Sequence, residues 1–466
     1  MSLRQNTLDL GTKPLGRLLI RLSIPGMVSF LAMMLYNIVD TFWVSRLGTS
    51  AIAALTVVFP FQMINVALGA GTGIGVASLT SRLFGAKDTK GASLVAGQVY
   101  LLATVLGLLT LAVGVFLTDP VLHLFGVRAD FLHLSHIYLF IIAFGAPMRY
   151  FIMMSNNLAR GSGDTLTPMY IALGTATFNA ILDPFLIFGW GPFPKLGVAG
   201  AALTTIIMQA IGAAFYLLYL PSKHSPYRIR LSAILPRWRV IYDIYRVGLP
   251  AFLMMLIGSI VIILYNQFLR PFGTVAIAAY GLLFRIVQLF LMPITGMSQG
   301  LMPIVGYNFG AGNFKRMWAG VRIASVYATV VTGTAQLLLL TLAVPLAAVF
   351  SRSTDLLETA TYGIRVYSLA LVFTGAQFMW ITTLQGMGRG RDALILSVLR
   401  QVVFLVPLMW LFSHHLKLTG IWAAQPVSDV LAFIVTAVWI WQVRCRIGKS
   451  DTGREATARE HQDHVR

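Results

Sequence analysis

Three carboxylates lie inside long apolar runs of this chain: Asp40 in LYNIVDTFW, Asp183 in FNAILDPF, and Asp429 just after Pro426. The other thirteen of the sixteen acidic residues fall in polar connections, at the ends of apolar runs or in the tail. A charge held at the centre of a bilayer costs about 2.5–3.5 kcal/mol on an insertion scale. Such residues face a cavity or a partner and mark ion or substrate paths. Tyr36 lies four residues before Asp40 and Asn179 four residues before Asp183, so in helices each pair shares a face. Asn156 and Asn157, in MSNNLARGSGD, add amide groups on a neighbouring run. Carboxylates with amides and hydroxyls offer hard oxygen ligands for Na⁺, with Asp40, Asn179 and Asp183 as the first candidates. They can equally share a proton. The competing reading is an acid paired with a buried Arg or capping a broken helix. It bears most on Asp429 and on Asp183, which precedes Pro184.

Other chemistries find no support. Cys445 is the single cysteine, so a disulfide framework or a cysteine metal site is excluded. The eight histidines are scattered, without an HExxH pattern, and neither a Walker loop nor a GxSxG elbow occurs. A membrane-embedded enzyme is therefore disfavoured, and a passive channel would want a symmetric ring of charges. No cofactor is expected, and the driving force falls to an ion gradient of H⁺ or Na⁺. Gly69, Gly71, Gly73 and Gly75 form a run that no strand precedes, which predicts close helix packing rather than nucleotide binding. Met33, Met153, Met154 and Met254 belong to methionine pairs that could give a cleft an adaptable wall. Pro25 removes a backbone bond early in the helix that carries Asp40, so a bend there could move the acid. Arg149, Arg285 and Arg400 also lie near membrane depth, where snorkelling or pairing with helix ends would account for them.

The elements that must position these groups follow from composition. The chain of 466 residues is 57% hydrophobic and only 11% charged, with mean hydropathy +0.77. Soluble chains carry about 25% charged residues. The net charge of +19 sits in short clusters between apolar runs, which argues for loops beside a lipid bilayer and against nucleic acid. Twelve apolar segments are predicted, near 18–45, 51–80, 93–117, 132–158, 166–190, 197–220, 240–269, 275–307, 317–350, 360–386, 393–413 and 420–443. Alternating them from a cytoplasmic amino terminus places most Lys and Arg inside, with both termini in the cytoplasm. Outside loops then hold little beyond Arg46, Arg128, Lys195, Arg270, Arg352 and Lys417. The expected fold is all-α and polytopic. An amino-terminal lobe (1–221) and a carboxy-terminal lobe (240–447) flank a basic cytoplasmic linker (222–239), and a polar disordered tail (448–466) ends the chain.

The halves repeat in one register without a gap. RLSIP at Arg21–Pro25 falls on RVGLP at Arg246–Pro250, and GTSAIAA at Gly48–Ala54 on GTVAIAA at Gly273–Ala279. Gly71 and Gly75 fall on Gly296 and Gly300, and Phe84–Ala86 on Phe309–Ala311. Six helices per half give two copies of the same orientation, the parallel-repeat plan of many alternating-access transporters. In this register Asp40 meets Tyr265, so the coupling site is expected to be asymmetric and amino-terminal.

These residues resemble the multidrug and toxic compound extrusion (MATE) family, nearest its DinF-like and MepA-like branches. The matching stretches include IPGMVSFLAMMLYNIVDTFWVSRLG (24–48), SLTSRLFGAKD (78–88), NNLARGSGDTLTPM (156–169), FNAILDPFLIFGWG (178–191), GVAGAALTT (197–205) and PIVGYNFGAGN (303–313). The resemblance implies two six-helix bundles around a V-shaped cleft, and antiport of H⁺ or Na⁺ against organic cations and other amphiphiles. It implies that Asp40 is the coupling acid, with Tyr36, Asn179, Asp183 and an Asn of the fourth helix as partners. Thr205 would be a further oxygen ligand. The chain departs from the NorM-like branch, whose coupling acids lie in the second half. A monomer in the inner membrane, exporting small organic molecules, is the expected working unit. A lipid-linked precursor flippase of the same superfamily is the alternative.

Overall fold

The computed structural model describes residues 3–124, 129–351 and 353–463. Arg128, Arg352 and the last three residues of the tail lie outside the described residues. Among the described residues every regular element is helical. The first half contains α1 (Leu3–Thr12), α2 (Leu15–Ser45), α3 (Thr49–Gly85), α4 (Thr89–Phe116), α5 (Thr118–Leu124), α6 (Ala129–Phe144), α7 (Ala146–Gly161), α8 (Leu166–Phe188) and α9 (Val198–Tyr219). The second contains α10 (Trp238–Leu269), α11 (Thr274–Gly310), α12 (Phe314–Thr341), α13 (Ala343–Ala348), α14 (Thr354–Tyr367), α15 (Leu371–Gly386), α16 (Gly390–Val398) and α17 (Leu405–Asp463). A π-turn, Leu399–Phe404, joins the last two.

Among the described residues ten helices are long and apolar enough to cross a membrane, and a bent pair adds an eleventh. The bent pair is the segment read as 132–158. It turns by 52° between Phe144 and Ala146, where Gly145 and Pro147 weaken the backbone ladder. The last span breaks at Lys417, whose backbone leaves helical geometry (φ 54°, ψ −131°), so it supplies two crossings and twelve result. Beyond them α17 is helical as far as Asp463.

The repeat is visible in the turns. Asp88 caps α4 by accepting from the Gly91 N–H at 2.8 Å, and Asn313 caps α12 by accepting from the Arg316 N–H at 3.1 Å. The residue before each cap is left-handed: Lys87 (φ 60°) in one copy and Gly312 (φ 70°) in the other. Caps and turns alike keep the register that sets Pro25 on Pro250.

By contacts the chain forms two compact units. The first comprises Met1–Leu256, Thr295–Gly312 and Thr383–Leu394. In it α2 runs along α8, α3 and α4 pack on α7, and α9 packs on α6 and α8. Its cores gather Val76, Val95, Tyr150 and Tyr216 in one cluster and Val58, Leu139, Ile142 and Ala201 in another. The glycine run does what its composition predicts. A Cβ on Gly75 would strike the Ile244 carbonyl, and one on Gly85 the Tyr307 carbonyl. The repeat returns the second contact: a Cβ on Gly310 would strike the Arg82 carbonyl. The second unit comprises Ile257–Ile294, Asn313–Thr382 and Ile395–Arg466. Its core stacks Tyr265 on Tyr280 at 4.5 Å between ring centroids, and Tyr280 on Trp422 at 6.3 Å.

Candidate cation-coupling site

The seam between α2 and α8 brings the two amino-terminal acids together. Asp40 and Tyr36 occupy successive turns of α2, and Asp183 and Asn179 successive turns of α8. Asp183 is 0% and Asn179 1% exposed, while Asp40 and Tyr36 are half-buried. The two carboxylates lie close enough for Asp183 to feel the charge of Asp40. Among the described residues, neither oxygen of Asp183, neither polar atom of the Asn179 amide, nor Oδ1 of Asp40 has a hydrogen-bond partner. The hydroxyl beside Asp183 is that of Thr204, and it donates to the Gly200 carbonyl at 2.9 Å. Burying an ionised carboxylate without a partner costs several kcal/mol. A cation removes that cost, either as a proton on one oxygen or as Na⁺ among hard oxygen ligands. The orphaned oxygens of Asp40, Asn179 and Asp183 are of the right type for both.

The surrounding groups close the site. The Tyr36 and Thr205 hydroxyls are hydrogen-bonded at 3.0 Å, joining α2 to α9. Tyr138 on α6 accepts from Gln62 at 3.3 Å and faces both acids. One turn past Asp40, Trp43 sits edge-on to Phe188 and Trp190, each at 6.0 Å, which places an aromatic cluster at this end of the seam. Beyond it, Arg46 stacks over the Phe42 ring at 4.6 Å.

Not every residue singled out from the sequence joins this group. The Asn156 amide oxygen accepts from the Tyr216 hydroxyl at 2.5 Å, and the Asn157 amide donates to the Met153 carbonyl at 2.9 Å. These bonds tie both to α7 and α9 rather than to the carboxylates. Met154 is 0% exposed and belongs to the core around Tyr150 and Leu158, so it cannot line a cleft. The neighbouring residue of a helical pair points elsewhere, and Met153 fills the space that Gly69 leaves. Met33 is exposed, and Met254 is half-buried with its sulfur accepting from Gln385 at 3.9 Å. Pro25 is buried inside an unbroken α2, its carbonyl taken by the Ser29 hydroxyl at 2.8 Å.

The corresponding place in the second half is built differently. Gly197 (φ 57°, ψ −129°) and Lys417 (φ 54°, ψ −131°) share one unusual backbone conformation. Three residues after each comes a glycine packed on backbone: a Cβ on Gly200 would strike the Leu186 carbonyl, and one on Gly420 the Phe412 carbonyl. That local alignment sets Thr205 on Gln425, just as the main register sets Asp40 on Tyr265. The Tyr265 hydroxyl donates to Gln425 at 2.9 Å, and the Gln425 amide donates to Asp429 at 3.0 Å. Arg400, presented by the π-turn, donates to the same Asp429 oxygen at 2.8 Å. Asp429 is thus the acid with an Arg partner, half-buried beside it, and Arg400 is a counter-ion rather than a snorkelling side chain.

The MatE family model matches residues 25–185 and again 250–411, two stretches that open on the paired prolines of the repeat, Pro25 and Pro250. The chain belongs to the MatE family. Multidrug export protein MepA of Staphylococcus saprophyticus is 29% identical over 91% of this chain and 93% of its own. A FAD transporter of Shewanella oneidensis is 30% identical over 90% and 92%. A solved outward-facing structure of a multidrug resistance MATE family transporter of the MOP superfamily superposes with a TM-score of 0.87 at 28% identity, covering 94% of this chain and 98% of that one. These relatives are transporters, not enzymes, and this MatE chain is a multi-span membrane protein.

Sequence reasoning missed one group beside the two acids and gave another a different role. Tyr138 has no local signal, because only the packing of α6 turns it toward the acids. Arg149 is legible at membrane depth within the 132–158 run, where snorkelling or pairing with a helix end is the expectation. Its Nε and Nη2 are buried without a partner among the described residues, close to Tyr36, Tyr138 and Tyr150.

Proposed function

We propose that this chain is a secondary active exporter of drug-like organic molecules, exchanging them for H⁺ or Na⁺ by alternating access. The observation that carries the reading is the pair Asp40 and Asp183, whose Oδ1 and two carboxylate oxygens respectively lack hydrogen-bond partners among the described residues, held with Asn179 in the α2–α8 seam. The MepA relative is named for multidrug export, which supports the cargo class. The cation binds the amino-terminal lobe (1–221), and movement of α2 about Pro25 connects its binding to the release of cargo. The protein works as a monomer in the inner membrane with both termini in the cytoplasm. A lipid-linked flippase is not favoured by the relatives.

The test is efflux of ethidium from membrane vesicles, driven separately by a pH gradient and by a Na⁺ gradient. One of the two should drive export and ATP should be dispensable. Efflux that requires ATP and ignores both gradients would overturn the proposal. Because one relative is named a FAD transporter, the cargo panel should include a flavin beside the organic cations.

A further inference from the structure

The connection from α9 to α10 reads in the sequence as a basic linker, and in the fold it is a strap pinned to α4 and α7. The Tyr227 hydroxyl donates to the Leu158 carbonyl at 2.7 Å, and the Arg228 N–H to the Ser93 hydroxyl at 3.0 Å. Gln98 of α4, 0% exposed, holds the next stretch by its backbone. Its amide donates to the Ala233 and Leu235 carbonyls, each at 2.8 Å, and its oxygen accepts from the Arg237 N–H at 3.1 Å. A Cβ on Gly97 would strike the Ala233 carbonyl, so the strap lies directly on α4. Tyr227 and Ala233 are buried against the protein, whereas Leu231 is 86%, Leu235 61% and Trp238 78% exposed. Arg228, Arg230, Arg237 and Arg239 are exposed beside them, and no acid occurs from Pro221 to Arg239.

The position along α4 sets the depth of this strap. Asp88 caps the start of α4, and Ser93 and Gln98 follow it by about 7.5 and 15 Å along the helix axis. The 28 residues of α4 span about 42 Å, which overruns a ~30 Å hydrocarbon core by about 6 Å at each end when the helix is centred and upright. Ala233 then lies about 9 Å inside the hydrocarbon edge, within the ~5–10 Å at which interfacial segments sit. Irregular backbone at that depth has no water to bond it and must find protein partners, which is what Gln98 supplies. Tryptophan favours the same interface, and guanidinium groups match phosphate oxygens through paired N–H donors. We propose that residues 228–239 form a lipid-binding anchor. Leu231, Leu235 and Trp238 enter the acyl boundary of the leaflet in which α4 begins, and the four arginines hold the phosphates of anionic phospholipids around them. The anchor is independent of the cargo and of the coupling ion.

The experiment uses the full-length protein carrying Cys445→Ser and Leu231→Cys, labelled at the new thiol with the fluorophore NBD and reconstituted in liposomes. Iodide in the water and nitroxide-labelled lipid in the bilayer are the two quenchers. The label should be shielded from iodide. Nitroxide-labelled phosphatidylglycerol should quench it at a mole fraction about fivefold below that needed for phosphatidylcholine. Adding Arg230→Gln and Arg237→Gln should lower that preference and leave the shielding. Quenching by iodide to the extent of free dye overturns the anchor. Equal quenching by the two lipids with all four arginines present overturns the anionic site, even if the doubly substituted protein fails to insert. A preference undiminished by the two substitutions does the same. Shielding from both quenchers would mean that a second copy or another protein covers the strap, and overturns the proposal as well.

Discussion

The two halves answer the same structural position in opposite ways. Where α2 carries Asp40, α10 carries Tyr265; where α9 carries Thr205, α17 carries Gln425. In the first half both oxygens of Asp183 and Oδ1 of Asp40 have no hydrogen-bond partner among the described residues. In the second, a relay from Tyr265 through Gln425 ends on an aspartate neutralised by Arg400. Duplication supplied one scaffold with equal caps, equal left-handed turns and equal glycine contacts. Divergence at a few side chains then left the acids of one copy without a hydrogen-bond partner among the described residues and gave the acid of the other a permanent counter-ion. A buried acid alone does not identify a coupling site; what distinguishes the copies is whether a fixed partner already holds it.

The sharpest way to break this contrast is to neutralise the acids in turn. Asp40→Asn and Asp183→Asn should each abolish gradient-driven export while leaving a folded, monodisperse protein, read by vesicle efflux and size-exclusion chromatography. In the second half the large effect should fall on stability instead. Arg400→Gln strands Asp429 and should destabilise the protein by about 3–5 kcal/mol, seen as an early thermal transition. Replacing both partners, with Arg400→Met and Asp429→Leu, should recover that loss and retain coupled efflux. A close-packing control comes from Gly85→Val, which forces a side chain against the Tyr307 carbonyl and should cost about 1–3 kcal/mol. The smallest effects come from the paired tyrosines. Tyr36→Phe and Tyr265→Phe each remove one hydrogen bond, about 0.5–1.5 kcal/mol. The first should slow transport a few-fold, and the second should lower the melting temperature without changing coupling.

Much of this could be read from the chain itself. Twelve spans, the gapless register of the repeat and the pairing of Asp40 with Asp183 need only hydropathy, spacing and the rarity of membrane acids. The helical period also placed Tyr36 and Asn179 beside their acids. What escaped depends on contacts between helices. Met153 and Met154 are adjacent in sequence yet face different surroundings. Asn156 and Asn157 carry the right chemistry but are held by Tyr216 and a backbone carbonyl. Asp429 looked like Asp183 until the π-turn brought Arg400 to it, and no period-based reading gives the direction of a π-turn.

The most direct test compares two properties of the same variants. Purified wild type, Asp40→Asn and Asp183→Asn are titrated with ethidium, then reconstituted and asked to concentrate it against its gradient under the ion gradient that drives the wild type. All three should bind cargo, and only the wild type should concentrate it. An Asp40→Asn or Asp183→Asn protein that still drives ethidium uphill at the wild-type rate would contradict the claim that these unpartnered carboxylates carry the exchanged cation.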